Sequence, residues 1–169
     1  MSAFILSQII ASISFCSDLI AFYLPKRIYV LRTLAFSTFL LSLHFWLLDK
    51  YSAAAMMLLA CIRFLVATRS TDRRLVYFFL AAALASCAFT WQGVADLLPL
   101  GGSLMLTFAA FQINDSRLRL FTLMGSLFWI ANNIVAHSPV AILMETTFFL
   151  STLISLLRLR WQQKRAALS

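Results

Sequence analysis

Two adjacent asparagines inside an apolar run, Asn132 and Asn133, are the polar groups in this chain that most need partners. With Gly125-Ser126 and Trp129 they recur at steps of three and four residues, so on a helix they stack along one side. Amides in hydrocarbon require hydrogen bonds, and the indole beside them offers a stacking floor for a ring-shaped polar ligand. The bland alternative is that both asparagines bond within a helix bundle while Trp129 packs. A second stripe, Thr38, Ser42, Trp46 and Asp49, has the same stepping. Trp46 fits either a binding wall or the aromatic belt of a membrane interface. His44 lies on an adjacent face, where a satisfied bundle histidine is the default.

Three ionisable residues stand deep in apolar surroundings: Asp18, Arg63 and Glu145. A charge inside hydrocarbon costs about 2.5–3.5 kcal/mol on insertion scales, so such residues pair or line a watery cavity. Arg63 has a long stem and can snorkel to the interface. Glu145 is short and sits among Leu143, Met144 and Phe148, so it must be neutral, hydrogen-bonded or exposed to a polar path. Asp18 with Arg63 is a possible pair if their helices are neighbours.

The elements that carry these residues are long apolar runs, at 4–24, 28–48, 51–68, 75–91, 97–113, 119–137 and 139–157. A hydrocarbon core about 30 Å thick takes roughly 20 apolar residues per helix, so seven transmembrane helices are expected. Hydrophobic residues make up 62% of the 169 and charged residues 12%, which leaves no material for a soluble domain. Of the 14 Lys and Arg, twelve fall on one side of the implied membrane. They are Lys26, Arg27, Arg32, Arg69, Arg73, Arg74, Arg117, Arg119, Arg158, Arg160, Lys164 and Arg165. Short loops rich in Lys and Arg stay cytoplasmic, which puts the N-terminus outside and the C-terminus inside. The net charge of +8 is therefore a topology signal, and nucleic-acid binding is not expected.

Residues 1–24 have no basic leader and no small-residue cleavage pattern before Pro25, so they read as a retained first helix. Cys16, Cys61 and Cys87 match no metal spacing and are expected to be buried thiols acting as small apolar residues. No phosphate-loop, zinc-protease, nucleophile-elbow or C-x-x-C pattern occurs, so neither an enzyme nor a cofactor is expected.

Sliding the second half over the first at an offset of 86 sets Tyr51-Ser52 on His137-Ser138, Trp46 on Asn132 and Pro25-Lys26 on Phe111-Gln112. Three helices reverse direction once, so a fourth crossing lets a second triple run parallel to the first. That plan resembles the SWEET and PQ-loop transporters, and the Pro25-Lys26 and Phe111-Gln112 pair is similar to a degenerate PQ motif. Within that superfamily the chain resembles the YgjV family of bacterial inner-membrane proteins. The residues carrying the likeness are His44-Phe45, Leu47-Leu48, Ile62-Arg63, Leu97-Leu98-Pro99 with Gly101, Trp129, Asn133, Ser138, Glu145 and Arg158.

The resemblance implies an all-α membrane protein of two parallel triple-helix bundles around a linker helix, in the bacterial inner membrane. Residues 1–68 form the first bundle, 69–95 the linker helix, 96–160 the second bundle and 161–169 a basic cytoplasmic tail. It also implies a central pocket lined by Trp and Asn, to which Trp129, Asn132, Asn133, Trp46, Ser42, Glu145 and His44 are assigned. Where a SWEET repeat presents an asparagine from its third helix, the last helix here offers Thr146, Thr147, Ser151, Thr152 and Ser155. A sugar is therefore not singled out. The expected function is transport of a small polar solute, with an intramembrane receptor or assembly partner as the alternative. The expected partners are the lipid bilayer and the solute, with a protein partner left open.

Overall fold

The computed structural model describes residues 2–21, 23–70, 72, 74–110, 112 and 114–166, the last three by main chain alone. Seven α-helices account for nearly all of them: α1 (Ala3–Ala21), α2 (Arg27–Leu47), α3 (Tyr51–Ala67), α4 (Arg74–Phe89), α5 (Leu97–Ala110), α6 (Asp115–Val135) and α7 (Pro139–Ala166). A 3-10 turn, Val94–Asp96, leads into α5, and no strand occurs among the described residues. Four helices, α1, α2, α6 and α7, are long and apolar enough to cross a membrane; the other three are apolar but shorter.

These helices are built inside out relative to those of a water-soluble bundle. On α1 the buried positions are Ser7, Ala11, Ser14, Asp18 and Ala21, a stripe at helical stepping made of small and polar residues. Phe4, Ile9, Ile13 and Ile20 face outward. In hydrocarbon, burying leucine against leucine gains nothing over lipid, so close backbone approach and interhelical hydrogen bonds hold the bundle. Ser14 and Ser37 meet at the crossing of α1 and α2, their hydroxyls 2.7 Å apart. At the crossing of α5 and α6 two glycines meet instead: a Cβ on Gly125 would lie 3.3 Å from the Gly102 carbonyl oxygen.

The two crossings expose the register of the internal repeat. Helices α2 and α6 start at Arg27 and Asp115 and end at Leu47 and Val135, 88 residues apart at both ends. Each is followed by one residue with positive φ, Asp49 at 57° and His137 at 51°, again 88 apart. The bonds Lys50 N–H to Phe45 O and Ser138 N–H to Asn133 O repeat the same spacing. The offset of 86 is thereby corrected to 88. It had aligned similar letters, Tyr51-Ser52 on His137-Ser138, where the turns require Tyr51 on Pro139. In the corrected register His44 answers to Asn132, Phe45 to Asn133 and Ser14 to Gly102.

Six helices close into a ring in the order α1, α2, α3, α5, α6, α7, with α7 packing back on α1. The second helix of each triple sits between the other two, so α1 and α3 are not neighbours as the pairing of Asp18 with Arg63 requires. Helix α4 lies outside the ring in the groove between α3 and α5, burying Phe79, Ala83 and Cys87 at four-residue steps.

Other departures have simple causes. Helix α6 begins at Asp115 because Asn114 caps it, its side chain accepting a bond from Arg117 N–H at 3.1 Å. Helix α7 continues through the basic segment as far as Ala166, since nothing between Leu157 and Ala166 breaks a helix. Cys16 is exposed on the outer face of α1, unlike the buried Cys61 and Cys87, because it lies off the stripe that runs through Ser14 and Asp18. Phe111, Arg73 and residues 167–169 of the tail lie outside the described residues.

Candidate functional site

Within the ring lies a cavity of about 360 Å³ to which all six ring helices contribute. Its polar lining is Asp18 from α1, Thr38 from α2, Arg63 from α3, Ser103 from α5, Thr122 and Ser126 from α6 and Glu145 from α7. Trp129, Leu41, Met56, Met57, Met144 and Phe148 supply the apolar wall. A cavity of this size is at the small end of the range for ligand pockets, about 300–1,000 Å³.

Among the described residues no ion pair joins Asp18, Arg63 and Glu145 to one another. Asp18 is buried, with Ser37 in hydrogen-bonding reach and its Oδ1 without a partner. Glu145 reaches the Ser126 hydroxyl from the neighbouring helix. Arg63 is buried and does not snorkel; its Nη1 donates to Thr107 Oγ1, and Thr107 in turn donates to the Ser103 carbonyl at 2.7 Å. A second cavity, of about 300 Å³, shares Arg63 and Phe64 with the first and is lined further by Arg27, Ser70 and Gln112. Arg63 thus lines both the central cavity and this second cavity between α2, α3, α4 and α5.

On the opposite side the cavity is shut by a packed layer. Phe45 and Trp129 form its floor, ring centroids 5.9 Å apart. His44 Nδ1–H donates to the Ser7 carbonyl at 2.8 Å, tying α2 to α1. Asn133 Nδ2 donates to the Ala141 carbonyl at 3.1 Å. Gln8 Oε1 accepts from Ser138 Oγ and from Val140 N–H, both at 3.3 Å, and so closes α1 against the turn between α6 and α7. Four buried polar atoms in this layer lack partners: Trp129 Nε1 in its floor, and His44 Nε2, Asn132 Nδ2 and Asn133 Oδ1 beyond it.

The residues assigned to a pocket from sequence therefore divide. Trp129 and Glu145 line the cavity. His44, Asn132 and Asn133 are buried in the closing layer. Ser42 donates to the Ala54 carbonyl at 2.9 Å, bonding α2 to α3. Trp46 is 62% exposed on the outside of the bundle and packs edge-on against Tyr51 at 5.1 Å, so it faces away from the cavity. The reason is the helical turn: Leu41 and Phe45 point inward, and one further residue rotates Trp46 about 100° to the surface. Ser103, Thr107 and Thr122 were missed. Thr122 is one turn before Ser126 on the same face, and Ser103 and Thr107 stand four apart, so the stepping that found Trp129 would have found them.

The seven apolar helices and this inward-facing polar site define a multi-pass membrane protein. A family model described as bacterial inner membrane protein, Imp-YgjV, matches residues 5–163. The chain belongs to that family and is accordingly a protein of the bacterial inner membrane. It is similar to the inner membrane protein YgjV of Escherichia coli (strain K12), 24% identical over 165 residues that cover 98% of this chain and 90% of the relative. No solved structure matches significantly.

Proposed function

We propose that this protein is a carrier of a small polar solute, in which two triple-helix units move against one another around the central cavity. Helices α1–α3 and α5–α7 are the two units and α4 the linker, a SWEET-like plan with all seven helices crossing the membrane. Helices of 16 and 17 residues, such as α4 and α3, span roughly 24–26 Å, so the bilayer must thin slightly around them. The N-terminus is outside and the basic end of α7 inside, as the Lys and Arg distribution requires. In that orientation the second cavity at Arg63 faces the cytoplasm and the His44–Asn133 layer closes the outer side.

The observation that carries the reading is the cavity itself: three ionisable side chains at the heart of a membrane bundle, with a second cavity adjoining it at Arg63 and a packed layer on the other side. A purely structural bundle has no reason to keep such groups out of mutual contact, given their cost in hydrocarbon. The test is counterflow in proteoliposomes of the purified full chain, preloaded with a mixed pool of amino acids, sugars, organic acids and amines and read by mass spectrometry. Exchange of at least one solute class above protein-free vesicles is the expected result. Binding of a solute with no exchange would leave a receptor.

A further inference from the structure

The charges of the cavity are placed on opposite walls. Asp18 and Glu145 belong to α1 and α7, adjacent in the ring, and a turn away Phe15 and Phe148 pack edge to face at 6.0 Å across the same seam. Arg63 belongs to α3 and is bonded to Thr107 of α5, its neighbour in the ring. In a six-membered ring the α7/α1 seam and the α3/α5 seam face each other. The repeat does not duplicate this arrangement. At a register of 88, Asp18 answers to Leu106, Met57 to Glu145 and Arg63 to Ser151. Each charge occurs once, so the cavity has a fixed acidic wall and a fixed basic wall despite its symmetric frame.

From this we infer that the cavity selects a small zwitterion, with an ammonium group against Asp18 and Glu145 and a carboxylate against Arg63. The inference rests on the carrier reading for its role in transport, and on the two-walled cavity alone for binding. Asp18 is buried with Oδ1 unmet, so it is free to accept a bond from a ligand donor. An ammonium carries three donors, enough to serve both carboxylates, while a guanidinium fork takes a carboxylate in two parallel bonds. A neutral polyol would leave the two carboxylates and the guanidinium stripped of water without a counter-charge, and a simple amine or acid would satisfy one wall only. Trp129 and the methionines Met56 and Met144 leave room between the walls for an apolar side group.

The test uses the purified full chain in detergent and follows thermal stabilisation and titration calorimetry. The probes are the common amino acids, amine and carboxylate analogues of whichever stabilises most, and sugars and polyols of matched size. An amino acid is expected to bind best, and deleting either of its charges should weaken it roughly ten- to hundredfold. Arg63→Gln should erase the preference for the amino acid over its amine, Arg63→Lys should restore part of it, and Asp18→Asn should erase the preference over the carboxylate. If Arg63→Gln does not fold, the Asp18→Asn arm carries the same contrast from the other wall. A sugar or polyol that binds as tightly as any amino acid, or charge variants that weaken all probes equally, would overturn the inference. Counterflow separates the two claims. Exchange of neutral solutes alone leaves the carrier and removes the zwitterion, whereas amino-acid binding without exchange does the reverse.

Discussion

Gly102 shows how a residue without a side chain shapes the cavity. A Cβ at that position would lie 2.6 Å from Trp129 Nε1 and 2.8 Å from Cδ1, so the indole occupies the space a methyl would need. Trp129 cannot retreat, because Phe45 lies behind it in the closing layer. Overpacking of this kind costs about 1–3 kcal/mol. Gly102→Ala is therefore expected to lower the melting temperature in detergent and disturb solute binding. Gly101→Ala meets only the flexible Phe128 ring at 2.8 Å and should do less of both. Equal effects from the two substitutions would contradict the fit of Trp129 on Gly102. At this scale the sequence was a fair guide to which residues turn inward. Trp129 and Glu145 stood out by type, yet Trp46 looked like Trp129 and faces outward. The difference is a single 100° step along α2, which residue type does not encode.

Helices carry the closing device. The layer beyond Trp129 is held by a few hydrogen bonds between α1, α2, α6 and α7, while His44 Nε2, Asn132 Nδ2 and Asn133 Oδ1 stay unmet. A buried polar atom without a partner costs about 1–3 kcal/mol, which opening to water would return. His44 and Asn132 are 88 residues apart, the spacing of the turns at Asp49 and His137. Gln8 is the latch of the layer, since one oxygen accepts from both Ser138 and Val140. Gln8→Ala should raise the rate at which a thiol reagent applied from the outer side reaches a Ser126→Cys cavity probe, in a background lacking the three native cysteines. An unchanged rate would mean that the latch does not bear on access. For the offset of the repeat, letter matching preferred 86, whereas the turns at Asp49 and His137, which depend on backbone φ, set 88.

For the whole molecule, the helix count and approximate bounds were legible because hydrophobic length is a one-dimensional signal. The order in which helices pack was not, because it depends on small-residue crossings such as Ser14–Ser37 and Gly102–Gly125 that composition does not reveal. The proposed orientation puts the end of α7 in the cytoplasm, so a reporter active only there should work when fused after residue 166. The same reporter inserted at the Thr90–Gly93 connection should be silent, and the opposite pattern would invert the topology.

Access to the cavity from both sides in turn is what separates a carrier from a pocket. It can be read directly with Ser126→Cys in the cysteine-free background, using a membrane-impermeant thiol reagent on sealed vesicles of each orientation. Labelling is expected from the cytoplasmic side and, more slowly, from the outer side. A short bifunctional thiol reagent joining Gln8→Cys to Ser138→Cys should abolish the outer labelling and spare the inner. Labelling confined to the cytoplasmic side, with the closing layer free to move, would contradict alternating access.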